Sequence, residues 1–135
     1  MARILVVEDS FSMRSFVRSA LESDGSGLSD VEVVEAASGF DALRLLPRGP
    51  YDLVITDINM PDINGLELLS FIRKSELHKS TPVLIISTQS SERDRERGLS
   101  LGANGYLVKP FTSEALLEQA LKQLAQRIVT TPPHG

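Results

Sequence analysis

The sequence predicts an α/β fold in which helices cover both faces of a parallel sheet of five strands. Five short apolar segments alternate with five segments whose apolar residues recur at the spacing of an amphipathic helix. Two of the apolar segments, 53–55 and 83–86, contain only bulky aliphatic residues, which is typical of strands buried on both faces. Because parallel neighbours are joined by crossover helices, this alternation predicts a sheet that is wrapped on both sides.

The predicted strands are short and clearly bounded. They span 3–7, 31–35, 53–57, 82–86 and 105–108. The second strand mixes apolar and acidic residues, which favours an edge position with one exposed side. The third is stopped by Met60-Pro61, because proline has no N–H to give to a β-ladder.

Each predicted helix has an apolar stripe that we expect to face the sheet. The fourth helical segment, 91–101, is highly charged and offers only Leu99 and Leu101 as anchors, which predicts a loosely held helix. Ser10, Ser38 or Gly39, and Thr112 are expected to begin the first, second and fifth helices. The stripes of the other four helices are Met13, Phe16, Val17, Ala20 and Leu21; Ala42, Leu45 and Leu46; Leu68, Leu69 and Ile72; and Leu117, Ala120, Leu121, Leu124 and Ile128.

The composition narrows the class of protein. A length of 135 residues predicts one domain over 1–129, followed by a flexible Pro-rich tail over 130–135. The absence of cysteine excludes disulfides and zinc-thiolate sites, and a net charge of −4 argues against non-specific nucleic-acid binding. No apolar run approaches the roughly 18–20 residues that cross a bilayer, and no signal-peptide pattern opens the chain. We therefore expect a cytoplasmic protein without membrane insertion.

Charged and hydroxyl side chains follow four of the five strands. Glu8 and Asp9 follow the first strand, Asp57 ends the third, Ser87 follows the fourth and Lys109 follows the fifth. Ligands of open parallel sheets bind at the carboxyl ends of the strands, so these side chains are expected to converge there. Three carboxylates repel one another unless they share a cation or take up a proton. Oxygen-only ligands favour a hard ion, and one or two carboxylates plus water suit Mg²⁺.

A magnesium site beside a lysine and a hydroxyl predicts phosphoryl-transfer chemistry. Asp57 would be the nucleophile and would form an acyl phosphate, while the ion and Lys109 would neutralise the transferring group. Taken singly, each residue has an ordinary explanation: Glu8-Asp9 as the start of a helix, Ser87 as a cap, Lys109 as a solvated strand end. Their occurrence at one sheet edge is what favours a site.

Two other functions remain open on the residues alone. A phosphohydrolase for small phosphate esters would use the same Asp57 and Mg²⁺, but such enzymes of the haloacid-dehalogenase type place an aspartate two residues later, where this chain has Asn59. The chain also lacks a cap domain that could close over a substrate. The other alternative is a docking module that binds the metal and is never phosphorylated.

The sequence resembles the receiver domains of two-component response regulators from Ile4 to about Ile128. The shared motifs are Glu8-Asp9, the strand that ends in Asp57 with Met60-Pro61 and Gly65, the hydroxyl of Ser87, and the segment 102–111 with Lys109-Pro110. The segment 10–14, together with Asn59 and Tyr106, is most similar to stand-alone, CheY-like chemotaxis regulators. The resemblance implies a flavodoxin-like (βα)5 fold with strand order 2-1-3-4-5.

The resemblance also implies a set of metal ligands. Asp57 would be the phosphorylated residue. Asp9 and Asp57 would bind Mg²⁺ through their side chains, Asn59 through its backbone carbonyl, and Glu8 directly or through water. Lys109 would contact the phosphoryl group.

Further residues are implied to switch. Ser87 would move to hydrogen-bond the phosphoryl group, Tyr106 would turn inward into the vacated space, and the Lys109–Pro110 peptide would be cis. From position alone, we also expect the side chains of Asn59 and Gln89 to influence the lifetime of the phosphorylated state.

The implied partners are proteins. A histidine kinase would supply the phosphoryl group, and a downstream protein would bind the face formed by helix 4, strand 5 and helix 5. We expect a monomer or weak dimer, and no direct binding of nucleic acid because no output domain follows the receiver. His78 and His134 lie among polar residues and are expected to have neither a partner nor a role.

Overall fold

The computed structural model describes residues 2–28 and 30–129, with side chains through residue 125. It contains five parallel strands in the order β2-β1-β3-β4-β5, which confirms the predicted α/β fold and strand order. The strands are β1 (Arg3–Val7), β2 (Glu32–Ala36), β3 (Leu53–Asp57), β4 (Val83–Ser87) and β5 (Gly105–Val108). The helices are α1 (Phe11–Glu22), α2 (Gly39–Leu45), α3 (Gly65–Lys74), α4 (Glu92–Ser100) and α5 (Ser113–Val129), with a short 3₁₀ turn at Leu46–Arg48.

The sheet separates two apolar cores. Residues of β3 and β4 are buried along their whole length, whereas β2 forms an edge of the sheet and has only two buried residues, Val33 and Ala36, one in each core. Successive strand residues point to opposite faces. Leu5 and Val54 therefore join the core that contains residues of α2 and α3, while Ile4 and Ile55 join the core that contains residues of α1 and α5.

Polar caps begin the helices close to the carboxyl edge of the sheet. The side chains of Ser10, Ser38, Asn64, Ser91 and Thr112 each accept a hydrogen bond from the main-chain N–H three residues later. Such caps satisfy N–H groups that have no partner inside the helix. The predicted helix starts at Ser10, Ser38 and Thr112 agree with this arrangement. Among the described residues, no helix is long and apolar enough to span a membrane.

Three of the predicted helix faces were partly wrong. In α1 the side chain of Phe16 is 38% exposed. In α5 the side chain of Leu121 is 37% exposed, and Leu116 is buried instead. In α4 the predicted anchors Leu99 and Leu101 are both 38% exposed, and the buried residue of this helix is Gly98. A Cβ atom on Gly98 would lie 2.9 Å from Cδ1 of Ile85. The helix therefore contacts the sheet here through a residue without a side chain. The side chain of Ile128 lies outside the described residues.

The prediction that His78 has no partner was wrong. The ring is buried, its Nε2 lies 2.7 Å from the carbonyl oxygen of Leu46, and it stacks on Tyr51 at a centroid distance of 5.8 Å. The Tyr51 hydroxyl donates to the carbonyl of Leu45. Both side chains thus contact carbonyls at the end of α2, and the Leu46 carbonyl also accepts from the N–H of Gly49 in the 3₁₀ turn. The Lys109–Pro110 peptide is cis, as predicted, and so is Gly49–Pro50.

The start of α3 packs directly against the end of β3. The N–H of Gly65 donates to the carbonyl of Ile58 at 2.8 Å, and a Cβ atom at position 65 would lie 2.2 Å from the carbonyl oxygen of Asp57. Only a residue without a side chain permits this approach. Gly65 therefore fixes the distance between α3 and the main chain that carries Asp57.

We predict that Gly65→Ala lowers the free energy of unfolding by about 1–3 kcal/mol, because the added methyl group must displace backbone and not a flexible side chain. Urea unfolding monitored by circular dichroism measures the change. Gly25→Ala is the matched control, since a Cβ atom there meets nothing within 4 Å. Equal stability of the two variants would contradict the proposed close approach.

Candidate functional site

Three carboxylates meet at the carboxyl edge of the sheet. Glu8, Asp9 and Asp57 each offer an oxygen, and these oxygens all lie within 4.8 Å of one another. The cause is the pairing of β1 with β3, which places Val7 opposite Thr56 and so brings the residues that follow to the same place. Glu8 and Asp57 are buried, whereas Asp9 is exposed. The cluster thus has two shielded acids and one that faces solvent.

Lys109 follows β5, the edge strand that lies two positions from β3 in the sheet, and its side chain contacts this cluster. Its Nζ lies 2.7 Å from Oε1 of Glu8 and 3.4 Å from Oδ1 of Asp57. β4 separates β5 from β3, so the long side chain must extend across the strand ends to make these contacts. One cation therefore neutralises part of the charge of three acids, and the site retains a net negative charge.

Burial raises the pKa of Glu8 above its ordinary value. The hydrogen bonds from Lys109 and from the N–H of Ser10 oppose this shift, while the nearby charge of Asp57 adds to it. The raised pKa means that the anionic form of Glu8 is under-compensated in the folded protein. A second cation at this position would relieve that deficit.

The carboxylate of Asp57 is held in a defined orientation. Its Oδ1 accepts a hydrogen bond of 2.8 Å from the N–H of Ile58 and is the oxygen that faces Lys109. The Thr56 hydroxyl donates to the carbonyl of Asp57. Among the described residues, no hydrogen bond is made to Oδ2. The two oxygens are therefore inequivalent, and Oδ2 is the one without a hydrogen bond among the described residues.

The loop that follows β3 carries Asn59, which is exposed. This loop is tied to α2 by Asp62, whose carboxylate accepts hydrogen bonds from the N–H groups of Gly39 at 3.2 Å and Phe40 at 2.8 Å. These bonds lower the pKa of Asp62 to about 2, with the bond from Phe40 contributing most. The local sequence does not identify Asp62 as a cap of α2, because a cap supplied from 22 residues away leaves no local pattern.

Ser87 and Tyr106 contact the same residue. The Ser87 hydroxyl oxygen is buried and accepts from the N–H of Gln89 at 3.0 Å, while the Tyr106 hydroxyl donates to the carbonyl of Gln89 at 2.7 Å. Tyr106 is 5% exposed, so its ring lies inside the protein and packs over Gly98 of α4. Thr88 is exposed. The main chain of Gln89 therefore connects the β4 hydroxyl with the β5 aromatic ring.

A family model, the response regulator receiver domain, matches residues 4–121. The chain belongs to this family. It is 37% identical to the chemotaxis protein CheY-3 of Vibrio cholerae over 126 residues, which cover 93% of each protein. It is 40% identical to a probable transcriptional regulatory protein of a Picosynechococcus strain, covering 99% of this chain but only 54% of that longer relative.

Solved receiver structures have the same fold. The chemotaxis response regulator CheY4 of Vibrio cholerae matches with a TM-score of 0.82 and 36% sequence identity, over 91% of this chain and 98% of that one. A CheY-like receiver domain of Methanospirillum hungatei matches with a TM-score of 0.84 and 27% identity, over 96% of this chain and 98% of that one. The predicted resemblance to response regulator receivers is confirmed.

The acidic cluster fits the magnesium ion that receiver domains bind at such a pocket. The donors are all oxygen, one lysine faces three acids, and Asp9 is open to water. Mg²⁺ keeps several waters in its octahedral shell, and a site with one exposed side allows this.

We predict that Asp62 contributes to stability above pH 4 and loses this contribution as the pH falls from 4 to 2. The lowered pKa of Asp62, about 2 against an ordinary 3.8, means that the folded state binds the proton more weakly than the unfolded chain. Urea unfolding of wild type and Asp62→Asn across this range measures the difference. Asp24→Asn, in the exposed turn after α1, is the control. Parallel pH profiles for wild type and Asp62→Asn would contradict the assignment.

Proposed function

We propose that this chain is the phosphoacceptor of a two-component system and takes a phosphoryl group from a histidine kinase onto Asp57. The observation that carries the proposal is the surroundings of that carboxylate. Asp57 is buried, lies within 4.8 Å of the carboxylates of Glu8 and Asp9, and has the amine of Lys109 at 3.4 Å. An acid so placed is oriented for attack. Lys109, and a cation bound by the carboxylates, would neutralise the negative charge of the phosphoryl oxygens.

The transfer exchanges one phosphorus bond for another. Oδ2 of Asp57 attacks phosphorus in line with the scissile bond, a new O–P bond forms, and the N–P bond of the donor phosphohistidine breaks. The bonding electron pair returns to the imidazole nitrogen of the donor, which takes up a proton. Lys109 is positioned to neutralise the transferring group, because its amine lies 3.4 Å from Asp57 and an ammonium group that donates to Glu8 has further N–H donors for a phosphoryl oxygen.

The residues proposed to hold Mg²⁺ come from two loops. Asp9 and Asp57 would bind through their side chains, Asn59 through its backbone carbonyl, and Glu8 directly or through water. Both oxygens of Glu8 already accept hydrogen bonds, from Lys109 and from the N–H of Ser10, which favours contact through water. When bound, the ion neutralises charge on the phosphoryl oxygens during transfer.

Phosphorylation is proposed to reset the residues that meet at Gln89. If the Ser87 hydroxyl moves toward a phosphoryl oxygen, the hydrogen bond that it accepts from the N–H of Gln89 would be disturbed, and the carbonyl that holds Tyr106 belongs to the same residue. Tyr106 packs over Gly98, so α4 would follow. A ligand that contacts the two states differently by a few kcal/mol is sufficient to shift such an equilibrium.

The proposed output is a contact with a downstream protein through the face formed by α4, β5 and α5. The first turn of α4 carries acidic residues and its last turn carries Arg97, while Leu99 is partly exposed beside them. The similarity to a protein named for chemotaxis supports an output of the chemotaxis type.

We predict that Asp57→Asn abolishes labelling of the protein by radioactive acetyl phosphate in the presence of Mg²⁺, because an amide oxygen does not attack phosphorus under these conditions. Asp52→Asn is the matched control. Asp52 directly precedes β3 and so lies at the end of the strand opposite to Asp57. Its carboxylate accepts a hydrogen bond from the N–H of Arg3. This variant should label at the wild-type rate.

Retained labelling of Asp57→Asn would place the phosphoryl group on another residue. Absence of labelling in wild type, from both acetyl phosphate and a phosphorylated kinase, would favour a docking module that is not phosphorylated. Either result overturns the proposed function.

We predict that beryllofluoride with Mg²⁺ shifts the backbone amide resonances of residues 87–111, because the contacts of Ser87 and Tyr106 with Gln89 would rearrange. Two-dimensional ¹⁵N–¹H spectra measure the effect, and Asp57→Asn is the control that cannot bind the analogue in the same way. Changes confined to the neighbourhood of Asp57 would contradict a switch that reaches α4.

A further inference from the structure

Arg14 joins the acidic loop after β1 to the edge strand β2. Its Nη1 donates to the carbonyl oxygen of Glu8 at 2.8 Å, and its Nε donates to Oε1 of Glu35 at 2.9 Å. The side chain is only 14% exposed. A planar guanidinium holds its donors in a fixed fork, so these two bonds fix the position of one loop relative to one strand.

The Glu8 carbonyl belongs to the peptide unit that leads into Asp9. That oxygen lies on the Glu8–Asp9 peptide unit, which is planar, so holding the oxygen sets the direction in which the main chain enters Asp9. The main chain of Glu8 is held on its other side by the bond from its N–H to the carbonyl of Ala36, again in β2. The last two residues of β2 thus fix Glu8 through both its N–H and its carbonyl.

Asp9 depends on this arrangement more than Glu8 does. The Glu8 carboxylate has its own partners in Lys109 and the N–H of Ser10. Asp9 is exposed, and the structure gives its side chain no hydrogen bond or ion pair within the described residues. The location of its carboxylate therefore follows from the main chain that precedes it.

We propose that Arg14 is a positioning residue for the magnesium site: by fixing the Glu8–Asp9 peptide, it holds the Asp9 carboxylate where the ion binds. This inference rests on the proposed function, since it presumes that Glu8, Asp9 and Asp57 bind the ion. Hydrogen bonds that orient metal ligands from behind typically change metal affinity by about 10–100-fold when they are removed.

Arg14 could affect Mg²⁺ binding through its charge or through the contact that positions the Glu8–Asp9 peptide. The two roles predict opposite changes in Mg²⁺ affinity when the side chain is removed. Removing a positive charge near an acidic cluster strengthens its attraction for Mg²⁺. Removing a positioning contact weakens binding. The sign of the change in affinity therefore separates the two roles.

Arg18 supplies a matched control. It lies one turn further along α1, and its Nη1 also donates to Glu35, but it makes its other ion pair with Glu22 and not with the acidic loop. Arg18→Ala and Arg14→Ala remove the same charge from the same helix and the same acceptor. Only Arg14→Ala removes the bond to the Glu8 carbonyl.

The experiment is a titration with MgCl₂ followed in ¹⁵N–¹H spectra of wild type, Arg14→Ala, Arg14→Lys and Arg18→Ala. We expect Arg14→Ala to bind Mg²⁺ about tenfold more weakly than wild type. Arg18→Ala should bind as wild type does or slightly more tightly. Arg14→Lys, which keeps the charge but lacks the fork, should lie between wild type and Arg14→Ala, and it serves as the test variant if the alanine variant does not fold.

Urea unfolding without Mg²⁺ separates positioning from a general loss of stability. A variant that is less stable but binds Mg²⁺ with wild-type affinity overturns the inference, and so does an Arg14→Ala variant that binds as tightly as Arg18→Ala. If wild type shows no Mg²⁺-dependent shifts at the amides of Glu8, Asp9 and Asp57, the proposed function fails first and the inference fails with it.

Discussion

The amine of Lys109 between two buried carboxylates is the interaction on which the site depends. At 2.7 Å from Glu8 and 3.4 Å from Asp57, it is the partner that makes two neighbouring anions tolerable where water is largely excluded. Burying such charges is costly unless they are paired. One amine against three carboxylates leaves the pairing incomplete. Burial, with a smaller contribution from the charge of Asp57, raises the pKa of Glu8, and a divalent cation bound by the three acids would supply the missing positive charge.

The surrounding loops are held in place by contacts that do not take part in the chemistry. Gly65 sets the approach of α3 to the main chain of Asp57, Asp62 ties the next loop to α2, and Arg14 ties the acidic loop to β2. Each contact joins segments that are distant in sequence or that belong to different elements. Together they hold the strand ends rigidly while leaving one side of the cluster open. A metal and a phosphoryl group need such rigid surroundings, because misplacement by about 1 Å is costly for transfer.

The fold and the residues of the cluster could be predicted because they follow from local rules. Apolar runs with acidic ends identify strands, and parallel pairing brings those ends to one edge. The contacts of Asp62, Arg14 and His78 could not be predicted, because each includes a main-chain partner whose position depends on the finished fold. Gly98 was overlooked for a related reason: a glycine carries no apolar signal, yet it allows α4 to contact Ile85 and Tyr106.

The contacts of Gln89 with Ser87 and Tyr106 involve its main chain and not its side chain. Ser87 and Tyr106 both hold its main chain, through the N–H and the carbonyl, so the connection between them does not require a glutamine. Any residue that retains its amide hydrogen preserves that connection, and proline alone removes it. The side chain at this position takes no part in the connection between Ser87 and Tyr106. Substitutions that change only the side chain at this position therefore leave the connection between β4 and β5 intact.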